Sequence, residues 1–369
     1  MAESRLTMLK KIDLHLLSKM NKIPVLKTVH WLTRGALESM GFRWERRHEG
    51  ESGLGLWRLD LRQPGAELFL GKLGKKKNAA KAPPRGKGGP VRRFVLIPGF
   101  GDTPLSWAGV LVLISPVLWN RFDEIVVFDY PGWHGFLSGE KCFNSFEALF
   151  RASDDALDSL KPTVLLGHSL GGWVAAQYAA SCGEGKRPMA RSADKPSSYQ
   201  GPEQLILCAP AGLYGEPSEL EEFQGHFRKA VEEGFQTFRP RLFHREPLWF
   251  RFLAGGFHDF MARPDVRELL ESVRDEYFLK ERVASIQAKT WLIWGEKDTL
   301  APATWARVWL DALREKGQGA VTLPKTGHSP QSEAPATMGA VLTQLLLGRK
   351  PSTLGAKFWS HLPGVGSLT

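Results

Sequence analysis

A doubly wound α/β fold with a mostly parallel sheet is predicted by three observations. Short apolar runs recur along the chain, helical patterns lie between several of them, and most of the runs stop at Gly, Pro or Asp. Phe94-Val95-Leu96-Ile97 ends at Pro98-Gly99, Ile125-Val126-Val127-Phe128 ends at Asp129, and Val164-Leu165-Leu166 ends at Gly167. Leu205-Ile206-Leu207 and Trp291-Leu292-Ile293-Trp294 follow. Runs that are apolar throughout, without alternation, suit strands covered on both faces by helices.

The bulk properties allow such a core. The chain has 369 residues, of which 43% are hydrophobic and 24% charged, the balance of a globular protein. Its net charge of +10 is unevenly placed. Residues 1–93 hold 21 Lys and Arg against 8 Asp and Glu, whereas the rest hold 28 against 31. The plain explanation is a solvated surface with a basic linker. The sharper one is an anionic partner such as phospholipid headgroups. Nucleic acid is not expected, because the basic quarter carries no recognition motif. Cys142, Cys182 and Cys208 are odd in number and lack metal-ligand spacing, so neither a disulfide framework nor a metal site is expected. A reducing, cytoplasmic setting follows. Lys10, Lys11, Asp13 and Lys19 interrupt the N-terminal apolar residues, so no signal peptide or membrane span is expected there.

Taken in order, residues 5–20 form a candidate amphipathic helix. Leu6, Leu9, Ile12, Leu16, Leu17 and Met20 share a face interrupted by Asp13. It would pack on its own domain or lie on a membrane surface. Leu56 to Arg62 alternates as a half-buried strand, Gln63-Pro64-Gly65 turns the chain, and Glu67 to Leu73 is a candidate partner strand. Residues 74–90, rich in Lys, Gly, Pro and Ala, cannot build a core and are expected to form a mobile basic loop. Gly183 to Pro202 reads as a second long loop. Residues 213–287 are helical in pattern and strongly aromatic, and interrupt the α/β alternation as an inserted cap. The predicted division is an N-terminal helical extension over 1–53, a core over 54–212 and 288–348 interrupted by the cap, and a tail over 349–369.

Gly167-His168-Ser169-Leu170-Gly171-Gly172 carries the strongest chemical signal. It joins an apolar strand to the helix that begins near Trp173. A serine on so tight a turn is held with its hydroxyl exposed, and flanking glycines let the backbone bend where a Cβ would clash. A serine hydroxyl needs a base. His328, in a Gly-His loop after the strand candidate Ala320 to Leu323, is the candidate. The base needs a carboxylate to fix its tautomer. Asp298, just past a strand in Trp294-Gly295-Glu296-Lys297-Asp298, is preferred over its neighbour Glu296, which reads as a turn residue. Stabilising an oxyanion takes two backbone N–H groups. Leu170, directly after the serine, and Phe100, in the loop after Ile97, are the candidates.

Pro98-Gly99-Phe100-Gly101-Asp102, the Gly-His-Ser-Leu-Gly motif, Trp294 to Pro302 and Thr326 to Pro335 stand in an order that resembles the α/β-hydrolase superfamily, in its cap-bearing esterase and lipase branch. The resemblance covers about residues 91–347. It implies the fold, the roles of Ser169, Asp298 and His328, and the two oxyanion donors. The segment after Asp129 departs from the usual Pro-Gly-x-Gly: Trp133 and His134 lie between Gly132 and Gly135, one residue longer. The expected reaction is hydrolysis of a carboxylic ester, without a cofactor, on a hydrophobic or lipid-like substrate. Carbon–carbon bond hydrolysis and acyl transfer would use the same three residues. A non-catalytic binding protein of this fold is the alternative of another class.

Overall fold

The computed structural model describes residues 35, 37–46, 54–62, 90–133, 141–185, 199–248, 250–351 and 357–359. The candidate helix at 5–20, the candidate strand at 67–73, nearly all of the basic loop at 74–90, most of the loop at 183–202 and His134 lie outside the described residues.

Every apolar run singled out in the sequence is a strand. They are β3 (Arg93–Ile97), β4 (Glu124–Asp129), β5 (Val164–His168), β6 (Gln204–Cys208) and β7 (Lys289–Gly295). The alternating segment forms β2 (Gly55–Asp60), and β8 (Gly317–Leu323) begins three residues before the expected strand. Two further strands were not anticipated. β1 (Arg43–Arg46) falls in the stretch expected to be a helical extension, and β9 (Lys357–Trp359) in the expected tail. Both are short edge strands, whose pairing depends on what the neighbouring edge offers.

Among the described residues one sheet runs in the order β1-β2-β4-β3-β5-β6-β7-β8-β9. Strands β3 to β8 pair parallel, while β1, β2 and β9 add antiparallel margins. β3 is followed by α1 (Ala108–Arg121) and β4 on one side. The chain then passes through α2 (Phe146–Leu160) to β5 on the other side of β3. The strand order therefore reverses between β3 and β5. Such a switch point opens a crevice at the carboxyl ends of the two strands. Ser169 follows β5 and Phe100 follows β3, so this topology alone brings them to one place.

Alternation along each strand feeds two cores. Val95, Ile97, Leu165, Leu207 and Trp294 face α2, α3 (Leu170–Gly183) and α7 (Trp305–Leu313). Phe94, Leu96, Leu166, Ile206 and Ile293 face α1 and α8 (Pro335–Leu346). An ion-pair network lies at the end of the sheet away from Ser169. There Glu45, Arg58, Glu124 and Arg93 form an ion-pair ladder across β1, β2, β4 and β3, with contacts of 2.9, 2.7 and 2.6 Å. Between β6 and β7 the chain leaves the sheet for the cap, which includes α4 (Pro217–Glu232), α5 (Phe250–Met261) and α6 (Pro264–Glu271).

One core position is acidic. Asp154 of α2 is buried, and its Oδ1 has no hydrogen-bond partner among the described residues. Burial pushes its carboxyl from an ordinary 3.8 up to about 8, with Asp155 and Asp158 adding to the rise and Arg282 opposing it. Between those two values the native state holds a proton that the unfolded chain has lost, so stability falls as pH rises, then levels off above about 8. Asp154→Asn cannot ionise. It should match the wild type at pH 4 and exceed it in urea resistance at pH 9; an identical decline in both proteins would sink this assignment.

Candidate active site

The turn between β5 and α3 sets the position of Ser169. Its backbone has φ +52° and ψ −117°, a conformation that a residue with a Cβ rarely adopts. Close packing holds it there. A Cβ at Gly167 would stand 2.2 Å from the Gly171 carbonyl oxygen, and one at Gly171 would stand 2.2 Å from the Ile97 carbonyl oxygen. The Ser169 N–H donates to the Cys208 carbonyl at 2.9 Å, and its own carbonyl accepts from Ala211 at 3.1 Å and Trp173 at 3.0 Å. Leu170, the first residue of α3, has an N–H for which a helix supplies no acceptor within itself.

The structure brings the three separated sequence candidates together. His328 Nε2 lies 2.9 Å from Ser169 Oγ, and its Nδ1 lies 2.8 Å from Asp298 Oδ2. All three residues are buried. The carboxylate accepts only, so Nδ1 carries the ring proton and Nε2 presents its lone pair to the serine. The other oxygen, Asp298 Oδ1, accepts from the N–H groups of Leu300 and Ala301, each at 2.9 Å. These bonds fix the carboxylate's rotation. Glu296 instead accepts from the Lys325 N–H at 3.3 Å, away from the histidine ring.

A second histidine supports the first. His168 Nε2 donates to the His328 carbonyl oxygen at 2.9 Å, and its Nδ1 faces Gln331 Nε2 at 3.4 Å. Gln331 also reaches Asp102 Oδ2 at 3.3 Å. A Cβ at Gly99 would stand 2.8 Å from His168 Nδ1. The loops after β3, β5 and β8 thus share one buried polar contact region behind Ser169.

Two cavities meet at Ser169, and both are bounded by Phe100 and Phe227. The smaller, of about 310 Å³, runs past Leu170 and Trp173 and opens among charged residues of α4 and α6. The larger, of about 600 Å³, contains His328 and is roofed by cap aromatics that include Phe235, Phe238, Phe250 and Phe257. The cap rings also pack on one another: Phe235 and Phe257 stack with centroids 5.3 Å apart, and Phe243 and Phe250 meet edge-on at 4.7 Å.

A family model described as the alpha/beta hydrolase family matches residues 94–340, which span both sheet segments and the cap. The chain belongs to the alpha/beta hydrolase family. No curated protein matches it in sequence. Solved structures share its fold at low identity. A bacterial membrane phospholipase A is 18% identical with a TM-score of 0.59, covering 94% of this chain and 96% of its own. A thermophilic esterase of Thermogutta terrifontis is 17% identical with a TM-score of 0.53, covering 83% and 98%. A 2-hydroxy-6-oxo-6-phenylhexa-2,4-dienoate hydrolase of Rhodococcus sp. strain RHA1 is 14% identical, also at 0.53, covering 82% and 97%. Among the described residues of this hydrolase no helix is long and apolar enough to cross a membrane.

Sequence reasoning missed His168, Gln331, Asp102 and Glu333 of this hydrolase's site. His168 and Gln331 stood inside quoted motifs, yet their contacts span 160 and 229 residues. Glu333 ties the cap to the His328 loop. Its Oε1 accepts from Gly327 at 2.8 Å, and its Oε2 accepts from His244 and Arg245, each at 2.9 Å. Burial raises its carboxyl above the ordinary 4.5 in spite of these donors. Glu333→Gln keeps the shape but exchanges one acceptor oxygen for an NH2 group. The variant should lose about 1–3 kcal/mol in denaturant titration, the cost of stranded N–H groups; an unaltered midpoint would show that the cap loop is held by other contacts.

Proposed function

We propose that the protein is a serine hydrolase that cleaves a carboxylic ester of an apolar or lipid-like substrate. Ser169 is the nucleophile, His328 the general base and acid, and Asp298 the residue that orients the histidine. The backbone N–H groups of Phe100 and Leu170 are the oxyanion donors. The observation that carries this reading is the unbroken chain of hydrogen bonds from Ser169 Oγ through both nitrogens of His328 to Asp298 Oδ2, at 2.9 and 2.8 Å, opening into an apolar cavity.

The steps follow from that geometry. As Ser169 Oγ bonds to the ester carbonyl carbon, its proton passes to His328 Nε2. Asp298 stabilises the resulting imidazolium through Nδ1–H without taking the proton itself. Negative charge gathers on the former carbonyl oxygen, where the N–H groups and the positive end of α3 offset it. His328 then gives its proton to the departing alkoxide oxygen. A water molecule, deprotonated by the same nitrogen, releases the acid and restores Ser169. Burial strengthens each electrostatic contact by excluding bulk water. No step calls on a metal or an organic cofactor. The basic balance of residues 1–93 supports contact with an anionic lipid surface as part of this reading.

Hydrolysis of 4-nitrophenyl esters by the wild type, Ser169→Ala and Asp298→Asn tests the proposal. Ser169→Ala should lower kcat by at least about 10⁴-fold and Asp298→Asn by about 10⁴-fold, both with an intact fold by circular dichroism. Turnover that survives the serine substitution, or a wild type inert towards every ester, would end it.

A further inference from the structure

The two cavities divide the neighbours of Ser169 unequally. His328 bounds the larger cavity and is not part of the smaller; Leu170 bounds the smaller and is not part of the larger. Phe100 and Ser169 belong to both. Resting on the ester-hydrolase reading above, we propose that the larger cavity receives the alcohol side of the ester and the smaller one the acyl side. Phe227 is then the specificity-determining wall between them. The substrate class is an ester whose apolar bulk lies in its alcohol.

The argument starts from the proton. The bond between Ser169 Oγ and the carbonyl carbon forms as the bond from that carbon to the alkoxy oxygen breaks. The serine proton, held on His328 Nε2, must move to that alkoxy oxygen. General acid transfer needs the two atoms within hydrogen-bond reach. The leaving oxygen therefore lies on the His328 side of the carbonyl, and the group attached to it continues into the cavity that His328 lines. The acyl carbons leave the carbonyl in the other direction, past Leu170 and Trp173.

The walls then set what each side accepts. The roof of the larger cavity is apolar, formed by Phe235, Phe238, Phe243, Phe250, Phe257 and Met261. It offers about 600 Å³ against about 310 Å³ on the other side. The smaller cavity ends among Gln224, Arg228, Glu232, Arg267 and Glu271. Arg228, Glu232, Arg267 and Glu271 are exposed. An apolar chain long enough to reach them would strip water from charged groups without replacing its hydrogen bonds. The acyl group is thus limited at its far end, while the alcohol is not. The Phe227 ring meets Phe100 edge-on with centroids 5.9 Å apart, and the two rings border both cavities where these meet at Ser169.

A matrix of esters separates the two sides: butyrates of alcohols from ethanol to decanol, and ethyl esters of acids from ethanoic to dodecanoic. The readout is kcat/KM, which reports the steps up to acylation and so senses both parts of the substrate. Expected is a rise of about fourfold per methylene over the first several alcohol carbons. The acyl series should peak early and fall at least about tenfold from its peak by the dodecanoate. Met261→Trp should shrink the decyl-to-ethyl ratio among butyrates, and Val273→Trp, at a residue that lines the smaller cavity, should move the acyl optimum to shorter acids. Long acids favoured with no gain from longer alcohols, or Met261→Trp acting on acyl length, would overturn the assignment while leaving the ester reading intact. Turnover of no ester at all would bring down that reading and this one together. Because the wild-type matrix decides by itself, a variant that fails to fold does not leave the question open.

Discussion

The turn after β5 rests against the end of β3, and the site is built around how closely the two approach. Gly167, Gly171 and Gly99 each lack a side chain where a Cβ would meet backbone or the His168 ring at 2.2 to 2.8 Å. With those spaces closed, Ser169 can keep its strained backbone, since relaxing would require moving strand, helix and neighbouring loop together. The same contact sets the spacing between the loop of Phe100 and the start of α3. The constraint on the Ser169 backbone is main chain; its side chain makes the hydrogen bond to His328 Nε2.

The polar groups behind the serine extend that constraint. Asp298 uses one oxygen on two backbone N–H groups and the other on His328. His168 holds the His328 main chain, and Glu333 holds the preceding loop residue, Gly327. The His168 and Asp298 contacts to His328 join segments that leave different strands, so the histidine ring is fixed by its own hydrogen bonds and by those of the chain that carries it. Buried groups of this kind are costly unless partnered, and here the partners also carry the geometry.

The cap works under a different physical rule. Its aromatic rings pack with centroids 4.7 to 6.5 Å apart, and several also bound the larger cavity. The same rings therefore serve the cap's own packing and bound the open space above Ser169. Dispersion and exclusion of water act in the same direction for the cap and for an apolar ligand.

The sequence by itself determined the doubly wound class, the strands β2 to β7 and the residues that meet as Ser169, His328 and Asp298. Those features are local: an apolar run, a glycine-flanked serine and a loop after a strand each fit within about ten residues. Only the tertiary structure decided that β1 and β9 join the sheet, since a short edge strand is made by its neighbour's unpaired backbone. It also shows how Asp298, preferred over Glu296 in the sequence, is aimed at His328: the Leu300 and Ala301 N–H groups hold its other oxygen. The contacts of His168 and Gln331, that of Glu333 with His244, and the meeting of two cavities at Ser169 depend on residues tens to hundreds of positions apart, which local periodicity and motif spacing do not encode.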